Sequence, residues 1–466
     1  MSSSETLMLT ISGIRGVIGD SLTPEVVSKY VSGFAGLQLT KGKGKQVILG
    51  YDTRPAVSWI KQVTIGALMA CGIDVVDIGI VPTPTVQLLV QQFKACGGIV
   101  ITASHNPQQW CGLKFVEYTG IFLNQENCDE MFSCKHSKYA TWDKLGTLTN
   151  YPNAIQDHIN NIFGQKFIDI EKIKKQHFKV AVDTINGAGS VAIPVILRQL
   201  GCEVTELNTE PTGLFAHTPE PIPENLTQLA EATKGHDIGI AVDPDSDRCV
   251  LIGEDGKPLV EEYTLALAVN YALKYGGIKT PVCRNISTSR AIDDICKQNG
   301  VECYGTPIGE VNVAMKMVEV GSEIGGEGNG GVMLTSCHIG RDALVATAMV
   351  LQLFAAEREK DPKITISQVK AALPQWRISK KKIPMKAGQN VPKIIEQWKE
   401  NMIKTYADAI KLNDADGLRV DHENWWVHVR RSNTEPIVRV YGEAHTQEEA
   451  DEICTKVYDE FMNLMK

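Results

Sequence analysis

The chain has 466 residues, of which 43% are hydrophobic, so it can bury several cores and is too long for one ordinary domain. Its formal net charge is −8, and no basic block interleaved with aromatic residues occurs, so nucleic acid is not an expected partner. The first residues lack a cationic start and a long apolar stretch, and no later run reaches about 18 apolar residues, so neither a signal peptide nor a membrane span is expected.

Short apolar runs alternate with helical patterns through most of the chain. The predicted buried strands are VILGYD (47–52), GIVIT (98–102), KVAVD (179–183) and IGIAVD (238–243). Helices are predicted between them, for example over 24–39 and 190–201. This alternation predicts parallel sheets with crossover helices, in which ligands bind at the carboxyl ends of strands.

The last hundred residues have a different pattern. A long polar helix is predicted over 392–412, followed by alternating strand patterns in ADGLRV, WWVHVR and PIVRVYGEA and by a final helix. We expect a smaller α+β domain here.

The first chemical motif is TASHNP, residues 102–107, directly after a predicted strand. Asn-Pro and Ser are ordinary turn residues, so a simple turn is one interpretation. The alternative is a reactive hydroxyl, that of Ser104, at the mouth of an α/β sheet.

The second motif is DPDSDR, residues 243–248, in which Asp243, Asp245 and Asp247 alternate. Three carboxylates so close together repel unless a cation lies among them, and oxygen ligands suit magnesium or calcium. An EF-hand loop is disfavoured because Arg248 stands where that loop needs glycine, and because both flanks look like strands. A divalent-metal loop between two strands is favoured over a solvated acidic turn.

The third motif is GGEGNGG, residues 325–331, whose glycines allow close approach of backbone to a ligand. It lacks the Lys-Ser or Lys-Thr of a phosphate-binding Walker loop. Glu327 and Asn329 can accept hydrogen bonds from sugar hydroxyls, although a flexible turn is the alternative.

The fourth motif is RRSNTEP, residues 430–436, between two predicted strands. Guanidinium forks and hydroxyls are the usual ligands of a phosphate, and a polar hairpin is the alternative. The candidate phosphate ligands are Arg430, Ser432, Asn433, Thr434 and Arg439. Together, the four motifs indicate phosphoryl transfer on a phosphorylated polyol.

These four motifs, in this order after SGIRG near residue 12, resemble those of the α-D-phosphohexomutase family over almost the whole chain. The resemblance implies three similar mixed-sheet α/β domains plus a smaller C-terminal α+β domain, heart-shaped around a central cleft. We expect the domains at 1–150, 151–253, 254–367 and 368–466, each with one of the four loops.

The resemblance also implies residue roles. Ser104 becomes a phosphoserine that exchanges its phosphate with the sugar through a bisphosphorylated intermediate. Mg²⁺ is bound by the three aspartates and an oxygen of phosphorylated Ser104, and a hexose 1,6-bisphosphate serves as activator. The residues implied around the reacting group are Arg15, His105, Lys114 and Arg248. Lys114 is the candidate general acid/base, and the alternative is a cation that only neutralises phosphate.

Two kinds of hexose phosphate are indicated as substrate by different parts of the sequence. Many members of the family have histidine where this chain has Gly331, and some have histidine where it has Glu310. GEGNGG is typical of archaeal-type phosphoglucosamine mutases, whereas SNTEP is typical of phosphoglucomutase/phosphomannomutases. A carboxylate pair, Glu310 with Glu327, favours an ammonium at C2 and therefore glucosamine phosphate; glucose or mannose phosphate is the alternative.

The sequence also supports expectations about partners, location and competing functions. The partners are small-molecule sugar phosphates, and the protein is a monomer or homodimer without nucleic-acid or membrane partners. Twelve cysteines scattered singly predict a reducing, cytoplasmic location. The competing classes are a metal-dependent phosphatase that hydrolyses its phosphoserine and a non-catalytic sugar-phosphate binder, but a full set of catalytic residues disfavours the binder.

Overall fold

A computed structural model describes residues 6–385, 389–432 and 437–465. Within them the chain forms four successive units, each built on its own sheet. Among these residues, the structure has no helix with the length and apolar character needed to cross a membrane.

The first unit has a seven-stranded sheet. Its elements are β1 (Met8–Thr10), β2 (Gly13–Val17), α1 (Pro24–Lys41), β3 (Gln46–Tyr51), α2 (Val57–Ala70), β4 (Asp74–Ile80), α3 (Thr83–Gln92), β5 (Gly97–Ile101), β6 (Trp110–Glu117), α4 (Gln125–Ser133) and β7 (Leu148–Asn150). The strand order is β1-β2-β6-β5-β3-β4-β7, and β5 lies parallel to β3 and antiparallel to β6. Every residue of β5 is buried, which explains its continuous apolar sequence.

The second unit has a four-stranded sheet in the order β11-β10-β8-β9. Its elements are α5 (Ala154–Phe163), α6 (Ile170–Lys174), β8 (Lys179–Asp183), α7 (Ile193–Gln199), β9 (Glu203–Leu207), α8 (Thr227–Thr233), β10 (Ile238–Val242) and β11 (Cys249–Ile252). The DPDSDR motif forms the turn between antiparallel strands β10 and β11, as predicted from its strand-like flanks.

The third unit has a five-stranded sheet in the order β13-β12-β14-β15-β16. Its elements are α9 (Glu262–Lys274), β12 (Val282–Asn285), α10 (Ala291–Asn299), β13 (Cys303–Thr306), α11 (Glu310–Val320), β14 (Ile324–Glu327), β15 (Gly331–Leu334), β16 (His338–Arg341), α12 (Ala343–Arg358) and α13 (Ile366–Ala371). One continuous apolar core joins the second and third units, where Phe178 stacks on Phe354 with ring centroids 4.7 Å apart. The loops of these two units are therefore held in a fixed relation.

The last unit is an antiparallel sheet in the order β17-β21-β20-β19-β18, covered by two helices. Its elements are β17 (Arg377–Pro384), α14 (Val391–Tyr406), β18 (Ile410–Asn413), β19 (Leu418–His422), β20 (Trp425–Arg431), β21 (Ile437–Ala444) and α15 (Gln447–Leu464). The predicted helix over 392–412 is wrong at its end: α14 stops at Tyr406, because residues 410–413 pair with β19 as an edge strand.

The predicted fold class is confirmed: three similar mixed α/β units precede a smaller C-terminal α+β unit. The structure also brings the ends of the sheets together, so that each unit contributes residues to a shared cavity.

Candidate active site

A cavity of about 440 Å³ lies where the four units meet. The predicted site residues that line it are Arg15, Ser104, His105, Lys114, Arg248, Glu310, Glu327, Asn329, Arg430, Ser432 and Arg439. Asp243, Asp245 and Asp247 are fully buried directly behind this wall, in contact with Ser104 and Lys114. The other two predicted phosphate ligands, Asn433 and Thr434, lie outside the described residues.

Ser104 sits in the loop that follows β5. Its φ angle is +50°, and its backbone N–H donates to Thr102 Oγ1 at 2.9 Å. Its hydroxyl donates to Asp243 Oδ2 at 3.0 Å and lies 3.3 Å from His105 Nδ1. Burial, together with the cations Arg248 and Arg15, lowers the pKa of His105 well below its usual value, so this imidazole is neutral. A left-handed loop residue thus aims its hydroxyl at the acidic motif of the next unit.

The Ser104 loop is held by Arg54, which the sequence analysis missed. The Arg54 guanidinium is buried and donates to four carbonyl oxygens of residues 104–110, at 2.6–3.0 Å. Its Nε lies 3.2 Å from the Asp52 carboxylate. YDTRP at the end of β3 was the available signal, because charged residues after a buried strand mark the ligand-binding edge.

We expect Arg54→Met to lower the stability of the protein strongly. The substitution leaves the buried Asp52 carboxylate without its cation and four carbonyls without a donor, a loss of about 3 kcal/mol or more. Thermal unfolding should show a Tm several degrees lower, whereas Arg198→Met, at a side chain that is 57% exposed, should leave Tm nearly unchanged. Equal Tm values for the two variants would contradict this role.

The three aspartates form a buried acidic group. One carboxylate oxygen from each lies within 4.8 Å of the others. Burial and the neighbouring carboxylates of Asp247 and Asp245 raise the pKa of Asp243 well above its usual value. Oδ1 of Asp245 and Oδ1 of Asp247 are buried without a hydrogen-bond partner among the described residues. Buried carboxylate oxygens that accept no hydrogen bond are suitable ligands for a hard divalent cation, so the residues fit a metal site.

Two cations face this group from the cavity. Lys114, on β6, donates to Asp245 Oδ2 at 2.6 Å and to Asp247 Oδ2 at 3.2 Å. Burial lowers its pKa, but the attraction of Asp245 and Asp247 is larger, so the pKa of Lys114 is raised and its amine is charged. Arg248 Nε lies 3.7 Å from Asp247 Oδ1.

Arg15 extends this ring of cations to the Ser104 loop. Its Nη1 donates to Asn106 Oδ1 at 2.8 Å, and Asn106 is part of the TASHNP turn. Burial lowers the pKa of Arg15 to about 10, so the guanidinium still carries its charge at neutral pH. Arg15 thus contacts the Ser104 loop while Lys114 and Arg248 contact the aspartates, so cationic groups adjoin both parts of the site.

A second residue that the sequence analysis missed is Arg341, at the end of β16. Its guanidinium binds Glu310 Oε2 at 3.0 Å and Glu327 Oε2 at 2.9 Å. It also binds Asp247 Oδ2 at 2.7 Å. The predicted carboxylate pair therefore exists, but a cation of the protein already lies between its members.

Helix α3 fixes the loops of the second and third units to the first unit. Thr83 donates from Oγ1 to Asp245 Oδ2 at 2.5 Å and from its backbone N–H to the Asp245 carbonyl at 2.9 Å. Gln87, one turn later, donates to Glu310 Oε1 at 2.9 Å. The pattern of residues 81–89, VPTPTVQLL, predicts an ordinary buried helix, so nothing in the sequence indicated these contacts.

The last unit presents a row of cations to the cavity. Lys382, Arg439 and Arg430 stand opposite one another on the adjacent strands β17, β21 and β20. Like charges directly opposite on neighbouring strands repel, and Asp416, whose Oδ2 lies 3.1 Å from Arg430 Nε, offsets part of this charge. The Nη2 of Arg430 is buried and has no hydrogen-bond partner among the described residues. Lys382 was missed, although the run of three lysines at 380–382 was visible in the sequence.

Four domain families match consecutive parts of the chain. They are the phosphoglucomutase/phosphomannomutase alpha/beta/alpha domains I (residues 8–138), II (156–256) and III (261–373), and the C-terminal domain (378–460). The chain belongs to the phosphoglucomutase/phosphomannomutase family. This membership confirms the predicted resemblance and the predicted enzyme class, a phosphohexomutase.

Individual relatives support the same assignment. A "Phosphoglucomutase/phosphomannomutase" of Thermococcus kodakarensis is 37% identical over 94% of this chain and 95% of its own length. A "Probable phosphoglucosamine mutase" of Pyrococcus horikoshii is 32% identical over 98% of both chains. A solved structure of a phosphoglucomutase/phosphomannomutase family protein from Burkholderia thailandensis is 25% identical, with a TM-score of 0.83 and 98% of each chain covered.

Proposed function

We propose that this phosphohexomutase interconverts the 6-phosphate and 1-phosphate of a hexose, with glucosamine phosphate as its preferred substrate. The observation that carries the proposal is the position of the Ser104 hydroxyl, 3.0 Å from Asp243 Oδ2, on the wall of a cavity ringed with cations. A hydroxyl so placed can carry a phosphoryl group between two positions of one sugar.

In the proposed reaction, Ser104 carries a phosphoryl group in the active enzyme. The sugar hydroxyl attacks the phosphorus atom and loses its proton, the bond from phosphorus to Ser104 Oγ breaks, and that oxygen takes up a proton, which leaves a sugar bisphosphate and a free Ser104 hydroxyl. The sugar then turns, and its other phosphate returns to Ser104. The cations Arg15, Lys114 and Arg248 stabilise the charge on the phosphoryl oxygens, and a hexose 1,6-bisphosphate activator phosphorylates resting enzyme.

We assign the metal site to Asp243, Asp245 and Asp247, with an oxygen of phosphorylated Ser104 as a further ligand. A bound Mg²⁺ would neutralise phosphoryl charge, because hard oxygen ligands and a doubly charged phosphate suit that ion. The assignment is supported by Oδ1 of Asp245 and Oδ1 of Asp247, which are buried and accept no hydrogen bond from the described residues.

The raised pKa of Lys114 limits its proposed role. A charged amine has a proton to donate, which a raised pKa makes it hold more tightly, and it can accept a proton only after losing its own. We therefore propose that Lys114 acts as the acid that protonates Ser104 Oγ as the phosphoryl group leaves. Neutral His105, whose Nδ1 is 3.3 Å from Oγ, orients that oxygen.

The opposite end of the cavity would hold the non-reacting phosphate. Arg430, Ser432 and Arg439 line the wall there, and Asn433 and Thr434 belong to the same proposed loop. Glu327 and Asn329 line the same cavity, and we propose that they bind the sugar hydroxyls. In this proposal each of the four domains contributes one loop to the cavity. The boundary expected after residue 367 falls within helix α13, so we place the boundary between the third and fourth domains at 372–376 instead.

The proposed preference for glucosamine rests on charge. Glu310 and Glu327 are two carboxylates with one guanidinium between them, which leaves a net negative charge that attracts an ammonium at C2. The second candidate is glucose or mannose phosphate, which the existing contacts of the carboxylates favour. Arg341 donates to one oxygen of each, Gln87 donates to the other oxygen of Glu310, and Asn285 donates to the other oxygen of Glu327.

A substrate panel tests this choice. Purified protein with Mg²⁺ and a trace of hexose 1,6-bisphosphate is given glucosamine 6-phosphate, glucose 1-phosphate or mannose 1-phosphate, and the products are followed by phosphorus NMR. We expect kcat/KM for glucosamine phosphate to exceed the others by about tenfold, the size of one added charge-assisted contact. Higher kcat/KM for glucose or mannose phosphate would overturn the glucosamine assignment and leave the mutase mechanism intact.

We further propose that the protein works in the cytoplasm on free sugar phosphates, as a monomer or homodimer. The twelve cysteines are all free, and ten of them are buried, which suits a reducing compartment.

A further inference from the structure

Arg341 is the cation that joins the metal motif to the sugar-binding loop. Its Nη2 binds Asp247, which belongs to the proposed metal site. Its Nη1 and Nε bind Glu327 and Glu310, which belong to the proposed sugar site. Arg341 is buried and lines the cavity, so one guanidinium is fixed by three carboxylates at the cavity wall.

The path of this side chain depends on Gly331. A Cβ atom at position 331 would lie 2.3 Å from Cδ and 2.8 Å from Cγ of Arg341, closer than van der Waals contact allows. The φ angle of Gly331 is not positive, unlike the φ angles of the nearby Gly326 and Gly330. Its backbone therefore accepts a side chain, and the space occupied by Arg341 is what requires glycine.

We propose that Arg341 is a positioning and specificity-determining residue, and that Gly331 is the residue that makes room for it. The proposal rests on the phosphohexomutase function, and it assigns to Arg341 an effect on which sugar the site binds. A guanidinium between Glu310 and Glu327 acts with Gln87 and Asn285, which bind their other oxygens, to hold both carboxylates in place at the cavity. It also balances part of their charge, so that a sugar without an ammonium can bind.

Removal of the guanidinium should change sugar selectivity. In Arg341→Ala the carboxylate pair loses its internal cation, and the ammonium of an amino sugar can replace it, whereas a neutral hexose cannot. We expect binding of glucose 6-phosphate to weaken about 30-fold and binding of glucosamine 6-phosphate about threefold, so that the ratio of Kd values moves about tenfold toward the amino sugar. Arg341→Lys keeps the charge and should restore most of the wild-type ratio.

A double-mutant cycle tests the part played by Gly331. Gly331→Ala should weaken binding of glucose 6-phosphate about tenfold or more when Arg341 is present, and by less than about threefold when Arg341→Ala has removed the obstructing atoms. The matched control is Gly66→Ala, in helix α2, where a Cβ meets no atom within 4 Å. That control should leave both Kd values unchanged.

The measurement is isothermal titration calorimetry of each sugar phosphate, carried out in a Ser104→Ala background so that no turnover is needed. Equal losses for both sugars in Arg341→Ala, or the same loss from Gly331→Ala in both backgrounds, would overturn the proposal. Absence of turnover in the protein with Ser104 intact would instead overturn the mutase function, and the binding cycle would still decide the role of Arg341. Circular dichroism of each variant shows whether it is folded.

Discussion

Ser104→Ala is expected to reduce mutase turnover by at least about 10³-fold, because the group that carries the phosphoryl unit is removed. The substitution keeps the Cβ atom, so the left-handed backbone at φ +50° is strained no more than before. Only the hydroxyl is lost, together with its contacts to Asp243 and His105. The fold and the cation ring should therefore remain, and sugar phosphates should still bind.

The measurement for Ser104→Ala is kcat with the preferred sugar phosphate, followed by phosphorus NMR, with Tm and Kd as controls for folding and binding. Ser58→Ala is the matched control, because Ser58 is an exposed serine of α2 in the same unit. Turnover near the wild-type value in Ser104→Ala would exclude a phosphoserine mechanism.

Asp245→Asn is expected to have the second-largest effect. Asp245 has one oxygen bound to Lys114 and Thr83, while its other oxygen has no hydrogen-bond partner among the described residues. An amide at this position removes a negative charge beside the proposed metal. It also removes one of the carboxylates that balance the positive charge of the buried Lys114 amine. We expect kcat to fall about 10²-fold and the Mg²⁺ concentration for half-maximal activity to rise at least about tenfold.

The control for Asp245→Asn is Asp255→Asn, in an exposed turn of the chain just after β11, which should change neither value. Titration of Mg²⁺ into each protein by calorimetry gives the metal affinity without turnover. An unchanged Mg²⁺ affinity in Asp245→Asn would show that this carboxylate does not belong to a metal site.

The strand-end motifs were predictable because their sequences are unusual. Ser104 and the alternating aspartates each follow a buried apolar run, and sheet topology brings such ends together. Arg54 and Arg341 were not predictable in the same way. Each follows or ends a strand as a single arginine, and its importance comes from contacts with residues that are distant in the sequence.

Other features depend on tertiary contacts alone. The end of helix α14 at Tyr406 was missed, because residues 410–413 are helical by pattern and become a strand through pairing with β19. The charge state of Lys114 required the distances to Asp245 and Asp247, which decide between the opposing effects of burial and attraction. The Gly331–Arg341 contact joins the first residue of β15 to the last residue of β16, and the antiparallel pairing of these two strands brings them together.

The transfer of phosphate through Ser104 is tested most directly with hexose 1,6-bisphosphate labelled with ³²P. The protein, with Mg²⁺, is mixed with the labelled bisphosphate and excess unlabelled hexose 1-phosphate, and the fate of the label is followed. We predict that label appears on Ser104, located by mass spectrometry of the phosphopeptide, and then in both hexose phosphates, with almost none in inorganic phosphate. Release of the label as inorganic phosphate, with the excess unlabelled hexose 1-phosphate left unconverted, would contradict the account and identify a phosphatase.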